Sequence, residues 1–358
     1  MPEKPFKILA INPGSSSTKV GYFEDETCIV EQNIMHDPSV LQAFSGQPMW
    51  AQLDFRTRSI EDFCTKHEID TGQLDAVTGR GGLLPPLKSG TYAIDDKMLA
   101  DLQGAARGQH ASNLGAALAH AIAPNVTLKC IVDPVSVDEL QPVARISGLE
   151  GIERESLSHA LNTKAIAKRF AAEQGKPYEK LRLIIGHLGS GISISAHENG
   201  RMIDVTNSRD EGAFSTERSG SVPLIPLVDQ CFSGKFTKED IFLRIFKNGG
   251  LFSYLHTTDI RDLILHKAIN QKAKLVFDAM IYQISKEIGA MAAVLVGSVD
   301  AILLTGGMVH SSDIVTALWD RLNWIAPIHL YPGENELQAL AAGALRILRK
   351  EEHLLNYT

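Results

Sequence analysis

The run Asn12-Pro-Gly-Ser-Ser-Ser-Thr-Lys19 gathers a carboxamide, four consecutive hydroxyls and an ammonium around one glycine. It sits between two apolar stretches, Ile8-Leu-Ala-Ile11 and Val20-Gly-Tyr-Phe23. A glycine at 14 lets the backbone come close to a ligand, and Ser15, Ser16, Ser17 and Lys19 supply donors suited to phosphate oxygens. Such a segment is either a phosphate-binding hairpin or an ordinary tight turn between two strands. The layout occurs twice. Adding 175 to the numbering lays residues 8–30 on 183–205 without a gap, so that Asn12 falls on His187, Gly14 on Gly189 and Ser15 on Ser190. Each copy has an apolar run, a polar residue, a glycine turn, a second strand, a short turn (Glu24-Asp25, Asn199-Gly200) and a third strand. Two unrelated meanders would also look this way. Two related domains, each offering a turn to the polyphosphate of a nucleotide held in a cleft, is the more specific expectation.

Two arginines stand in open settings. Arg80 lies between glycines in Thr78-Gly-Arg-Gly-Gly82, and Arg218 lies beside small residues in Thr216-Glu-Arg-Ser-Gly220. A guanidinium offers paired donors for carboxylate or phosphate oxygens, although a loop arginine is usually just solvated. Gly306-Gly307, after an apolar strand, would let a base or ribose lie on the backbone, or would simply make a tight strand-to-helix turn. Common nucleotide signatures are missing: residues 14–19 lack the second glycine of a Walker A loop, and neither GxGxxG nor a protein-kinase catalytic loop occurs.

The elements that must position these groups read as α/β. After the first meander come a strand at Leu74-Asp-Ala-Val-Thr78, a helix over 111–123, a strand at Lys129-Cys-Ile-Val132 and a helix over 158–172. The second meander follows, then a helix over 272–296 with Phe277, Ile281, Ile284, Ile288, Met291 and Leu295 on one face. Strand Ala301-Ile-Leu-Leu304 precedes the glycine pair. A last helix from about Asn335 aligns Leu337, Leu340, Ala341, Ala344, Leu345 and Leu348. With 358 residues and 44% hydrophobic content, two domains are expected. The repeat places them at 1–140 plus 337–358 and at 141–336, the last helix returning to the first domain.

A formal charge of −7 and the absence of Lys/Arg blocks argue against a nucleic-acid or anionic-membrane partner. Cys28, Cys64, Cys130 and Cys231 are far apart, without metal spacing or a disulfide framework. The first strand begins too early for a secretory leader, and the apolar stretch around 290–296 is too short for a bilayer, so a cytoplasmic protein is expected.

Several motifs in order resemble one family. Besides the two hairpins, Ala76-Val-Thr-Gly-Arg-Gly-Gly-Leu-Leu84, Gly108-Gln-His-Ala-Ser-Asn113, Ile131-Val-Asp-Pro134, Ser156-Leu-Ser-His-Ala160 and Ser215-Thr-Glu-Arg-Ser-Gly220 are similar to segments of the acetate kinase branch of the sugar kinase, heat-shock chaperone and actin superfamily. Within that branch the chain most resembles the butyrate kinases, over nearly its whole length. The resemblance implies two duplicated ribonuclease H-like domains, with mixed five-stranded sheets and helices, around a nucleotide cleft that closes during turnover.

It also implies ATP/ADP and Mg²⁺ as cofactors and a short-chain fatty acid as substrate. A homodimer or larger assembly, and phosphotransbutyrylase as metabolic partner in ATP-yielding fermentation, follow from it too. Asn12 would help hold Mg²⁺, with Glu336, or else Glu334, opposite it. Asp133 would orient the metal's water shell or Arg80. Gly14, Ser15, Ser16, Ser17, Lys19, Gly189, Ser190, Gly191, Gly306 and Gly307 would surround the nucleotide. His187 and Arg218 would donate to the phosphoryl group, while Arg80, with Gly81, Gly82 and Leu83, would take the acceptor. His110 and His159 match family histidines near the site, or are satisfied helix histidines. Arg154-Glu155 replaces a Phe-His pair of acetate kinases, which suits a longer acyl pocket.

This residue set suits a carboxylate acceptor. A short fatty acid, with a pKa of about 4–5, is already ionised at neutral pH and needs no general base. The difficulty is bringing two anions together in line, which cations and fixed donors relieve. A hydroxyl-directed kinase would need a carboxylate base, for which Asp133 is the candidate. A nucleotide-driven switch protein would need no second arginine aimed at an acceptor. Acetate, propionate and branched-chain acids are alternative substrates.

Overall fold

The structure is a computed structural model that describes residues 4–358. It divides into two compact units, one formed by the chain up to Val137 together with Asn335–Thr358, the other by Asp138–Glu334.

In the first unit β1 (Lys7–Pro13), β2 (Ser17–Glu24) and β3 (Thr27–Met35) form the antiparallel meander, followed by β4 (Ala76–Arg80), β5 (Thr91–Ala93) and β6 (Leu128–Val132). The sheet order is β3-β2-β1-β4-β6-β5, with β4 and β6 parallel to β1. It thus has six strands where five were expected, because Thr91–Ala93 adds a short antiparallel edge to β6. Alternation along β1 sends Leu9 and Ile11 to one face, against helices Leu53–Lys66 and Gly115–Ile122 in a core that includes Ile60, Phe63, Val77 and Leu118. Helix Glu336–Leu348 covers the other side of β1, β4 and β6.

In the second unit β7 (Leu183–Leu188), β8 (Ile192–Glu198), β9 (Arg201–Val205), β10 (Ala301–Gly306) and β11 (Ile328–Pro332) are ordered β11-β10-β7-β8-β9. This repeats the arrangement β3-β2-β1-β4-β6 of the first unit. Both meanders carry a register irregularity one residue apart in the repeat, between Tyr22 and Phe23 and between Ala196 and His197. Leu183 and Ile185 pack on helix Ala160–Glu173 through Ile166, Ala167 and Phe170. Ile184 and Leu188 face helices Gln271–Val294 and Ser312–Leu322.

Local differences from the sequence reading have physical causes. Strand β4 starts later than expected and runs on through Gly79 to Arg80. Gly79 is held in the strand by its pairing with Ile11 and Ile131, and it must be glycine because the backbone of Gly115 approaches too closely for any side chain. The helix expected over 111–123 starts as a 3-10 turn, Ala111–Leu114, before its α-helical part.

Candidate active site

In the first unit the side chains of residues 8, 10 and 12 on β1 share a face, which brings Asn12 to the start of helix Glu336–Leu348. Asn12 Nδ2 donates to Glu336, and Arg80 Nη1 at the end of β4 forms an ion pair with the same carboxylate. Arg80 Nη1 also lies 3.5 Å from Asn12 Oδ1. Asn12 and Glu336 are buried, and Arg80 is half-buried. Three of the expected groups therefore meet in one cluster.

The turn between β1 and β2 closes with Gly14 N–H donating to Ser17 O at 2.8 Å. A Cβ on Gly14 would meet nothing nearer than 3.5 Å, so the fold does not itself demand glycine there. Ser15, Ser16 and Lys19 are exposed, and Lys19 pairs with Asn12 in the hairpin register.

Gly81 and Gly82 are buried against Pro134 and Asn113, and Leu83 N–H donates to Asn113 Oδ1 at 2.9 Å. Leu83 is half-buried. Asp133, buried and at φ 37°, accepts from Gly90 N–H at 2.7 Å. That contact ties Asp133 into the turn beside β5 and β6. His110 is exposed, and its Nδ1 caps the 3-10 turn through Ser112 N–H at 3.2 Å.

In the second unit His187 faces the side of the sheet covered by helix Ala160–Glu173. Its ring is stacked on His159, centroids 3.8 Å apart and planes 10° from parallel. His187 Nδ1 lies 2.9 Å from Asn162 Oδ1, and Nε2 lies 3.7 Å from Glu334 Oε1. His159 Nδ1 is 3.0 Å from Ser193 Oγ. A Cβ on Gly191 would meet Arg218 Nη1 at 2.8 Å and His159 Cε1 at 3.3 Å, which places these groups around one hairpin. Ser190 at its tip is exposed. Arg218 Nη1 donates to Ser208 O at 2.7 Å, and burial pulls its guanidinium below its ordinary pKa.

Gly306, at φ 96°, cannot carry a side chain because Leu188 O would lie 2.4 Å from it, whereas a Cβ on Gly307 meets nothing. Arg154 is held by Asp204 and Glu211 at 2.9–3.0 Å and by the carbonyls of Ala144 and Val205, so it braces the fold. Glu334 belongs to the second unit, where it faces His187, and Glu336 to the first, where it holds Asn12 and Arg80.

Two residues went unnoticed in the sequence. Arg56 is fully buried and donates to the carbonyls of Ser15 (3.2 Å) and Ser17 (2.9 Å), to Thr18 Oγ1 and to Gln52 Oε1. None of these partners is a carboxylate. Its signal was an arginine four and eight positions before Ile60 and Cys64, on the buried stripe of its helix. Asn162 carried no signal beyond standing three residues after His159.

A duplicated sheet of three antiparallel and two parallel strands, with a glycine hairpin opening each copy, defines the ribonuclease H-like, actin-type fold class. Solved structures agree. Porphyromonas gingivalis acetate kinase superposes with a TM-score of 0.78 at 19% identity, covering 96% of this chain and 100% of that one. A propionate kinase from Francisella tularensis subsp. tularensis gives 0.75 at 17%, covering 94% and 98%. The chain belongs to the acetokinase family, whose model matches residues 147–338. It is 47% identical over 356 residues to butyrate kinase 1 of Clostridium acetobutylicum, covering 98% of this chain and 99% of the relative.

Proposed function

We propose that this protein is a short-chain carboxylate kinase that interconverts ATP and butyrate with ADP and butyryl phosphate by direct in-line transfer. The observation that carries the reading is the cluster of Asn12 and Arg80 at two strand ends with Glu336 at the start of the last helix, where the one carboxylate is already paired with the guanidinium, in a chain 47% identical to a butyrate kinase over 356 residues. Asp133, the alternative base, accepts from the Gly90 N–H, which favours a supporting role.

Arg80 binds the acceptor carboxylate and offsets its repulsion from the γ-phosphoryl group. Gly81, Gly82 and Leu83 adjoin the acyl chain. Ser15, Ser16, Ser17 and Lys19 in the first unit, and Gly189, Ser190 and Gly191 in the second, each form a turn suited to polyphosphate oxygens. Arg218 and His187 donate to the phosphoryl oxygens, where removal of one donor costs about 3–4 kcal/mol of barrier by comparison with oxyanion donors.

The Asn12 carboxamide oxygen, on the side of Arg80, and the buried Glu336 carboxylate, held by Asn12 Nδ2 and Arg80 Nη1, are oxygen donors of the kind Mg²⁺ takes, one or two from protein with its water retained. When bound, the ion neutralises phosphate charge. Among the described residues no helix is long and apolar enough to cross a membrane. We place the enzyme in the cytoplasm as a homo-oligomer, feeding or fed by a phosphotransbutyrylase.

The test is acyl phosphate formation from Mg·ATP, trapped with hydroxylamine, across acetate, propionate, butyrate, isobutyrate and valerate. Turnover of butyrate that collapses in Arg80→Ala is expected. ATP binding with no acid phosphorylated would refute the assignment.

A further inference from the structure

We infer that Asn162 is a positioning residue that fixes the proton of His187 on Nδ1. Asn162 sits in the first turn of helix Ala160–Glu173 and is 1% exposed. Its Nδ2 donates to the backbone carbonyl of Glu334 at 2.8 Å. A carbonyl only accepts, so the amide can face it only with its NH₂, and Oδ1 is turned to His187 Nδ1 at 2.9 Å. An acceptor at that distance requires Nδ1–H, because the hydrogen bond of one ring nitrogen decides the tautomer. His187 is itself 1% exposed, and His159 is stacked on its ring.

Nε2 is left on the side of the glycine hairpin, where a Cβ on Gly189 would lie 3.1 Å from it. The neutral ring presents a lone pair there. It becomes a donor to a phosphoryl oxygen only on taking a second proton, and Glu334 Oε1 at 3.7 Å is the carboxylate facing that charge. Glu334 thus meets the pair twice, its carbonyl orienting Asn162 and its side chain facing Nε2. The functional weight of this arrangement rests on the proposed role of His187 in phosphoryl transfer, but the tautomer does not.

The experiment is long-range ¹H–¹⁵N correlation spectroscopy of ¹⁵N-histidine-labelled protein well above the histidine titration range, with His187 assigned by its disappearance in His187→Gln. In wild type a protonated Nδ1 and an unprotonated Nε2 are expected. Asn162→Asp, which keeps an acceptor for Nδ1–H while losing the donor to the Glu334 carbonyl, retains that pattern, whereas Asn162→Leu moves the ring toward Nε2–H. Butyrate kinetics of Asn162→Leu should show kcat lowered about 10–100-fold, the range for lost orienting partners, with KM for butyrate nearly unchanged. A protonated Nε2 in wild type would overturn the inference, as would an unchanged tautomer in a folded Asn162→Leu protein. If Asn162→Leu does not fold, wild type and Asn162→Asp decide. The expected tautomer in a protein that phosphorylates no acid would uphold this assignment while removing the kinase reading.

Discussion

Gly79→Ala tests whether the close packing behind β4 sets the position of Arg80. A Cβ at 79 would lie 2.0 Å from Gly115 O, 2.4 Å from Gly115 C and 3.1 Å from Ala116 N, all backbone atoms at the start of a helix. The helix is pinned by Leu118, Ala119 and Ile122 in the core, so no side-chain rotation relieves the clash. Restoring an ordinary contact of 3.4 Å requires strand and helix to part by about 1.4 Å. Overpacking of this kind costs roughly 1–3 kcal/mol, equivalent to a fall of roughly 2–10 °C in Tm. Arg80 is the next residue, and a displacement of about 1 Å at a binding group lowers rate about 10²-fold. Hydroxamate-trapped turnover should show kcat/KM for butyrate reduced by about that factor, with KM for ATP changed far less. Gly104→Ala, whose Cβ meets nothing within 4 Å, is the matched control and should behave as wild type. Wild-type kcat/KM and Tm in Gly79→Ala would refute the reasoning.

Arg56→Met leaves Ser15 O without its donor, while Ser17 O keeps Gly14 N–H; a loss of about 1–3 kcal/mol in urea unfolding and faster amide exchange over residues 14–18 are expected. His36 is held down at about 4 by burial, then by the charge of Arg56, against an ordinary 6.5. The folded state therefore binds fewer protons than the unfolded one. Its contribution is complete above pH 6.5 and is lost as pH falls to about 4, roughly 3 kcal/mol in all, so His36→Gln should flatten the unfolding free energy across that window. Gly306→Ala should destabilise strongly, because Leu188 O lies 2.4 Å from the added carbon. Gly307→Ala should fold normally, and an unchanged KM for ATP there would argue against nucleotide packing on that residue.

Much was settled by local pattern. Two strand-turn-strand segments 175 residues apart declare themselves in sequence because side-chain alternation and turn chemistry are local properties. The same alternation puts residues 8, 10 and 12 on one face, and the stripe beginning at Leu337 makes the last helix legible. Tertiary structure decided which distant groups meet. Asn12 and Glu336 are 324 positions apart, and only the return of the last helix to the first unit makes Glu336, rather than Glu334, the partner of Asn12 and Arg80. Glycine is required at 79 by a backbone approach from Gly115 that no propensity reports. Arg56 acquires its partners only because its helix packs beneath the Ser15–Ser17 turn, and Asn162 acquires a role only where the carbonyl of Glu334 orients it. The division has one cause: periodicity and turn preference are carried by neighbours in the chain, whereas burial, hydrogen-bond direction and close packing arise only from contacts made across it.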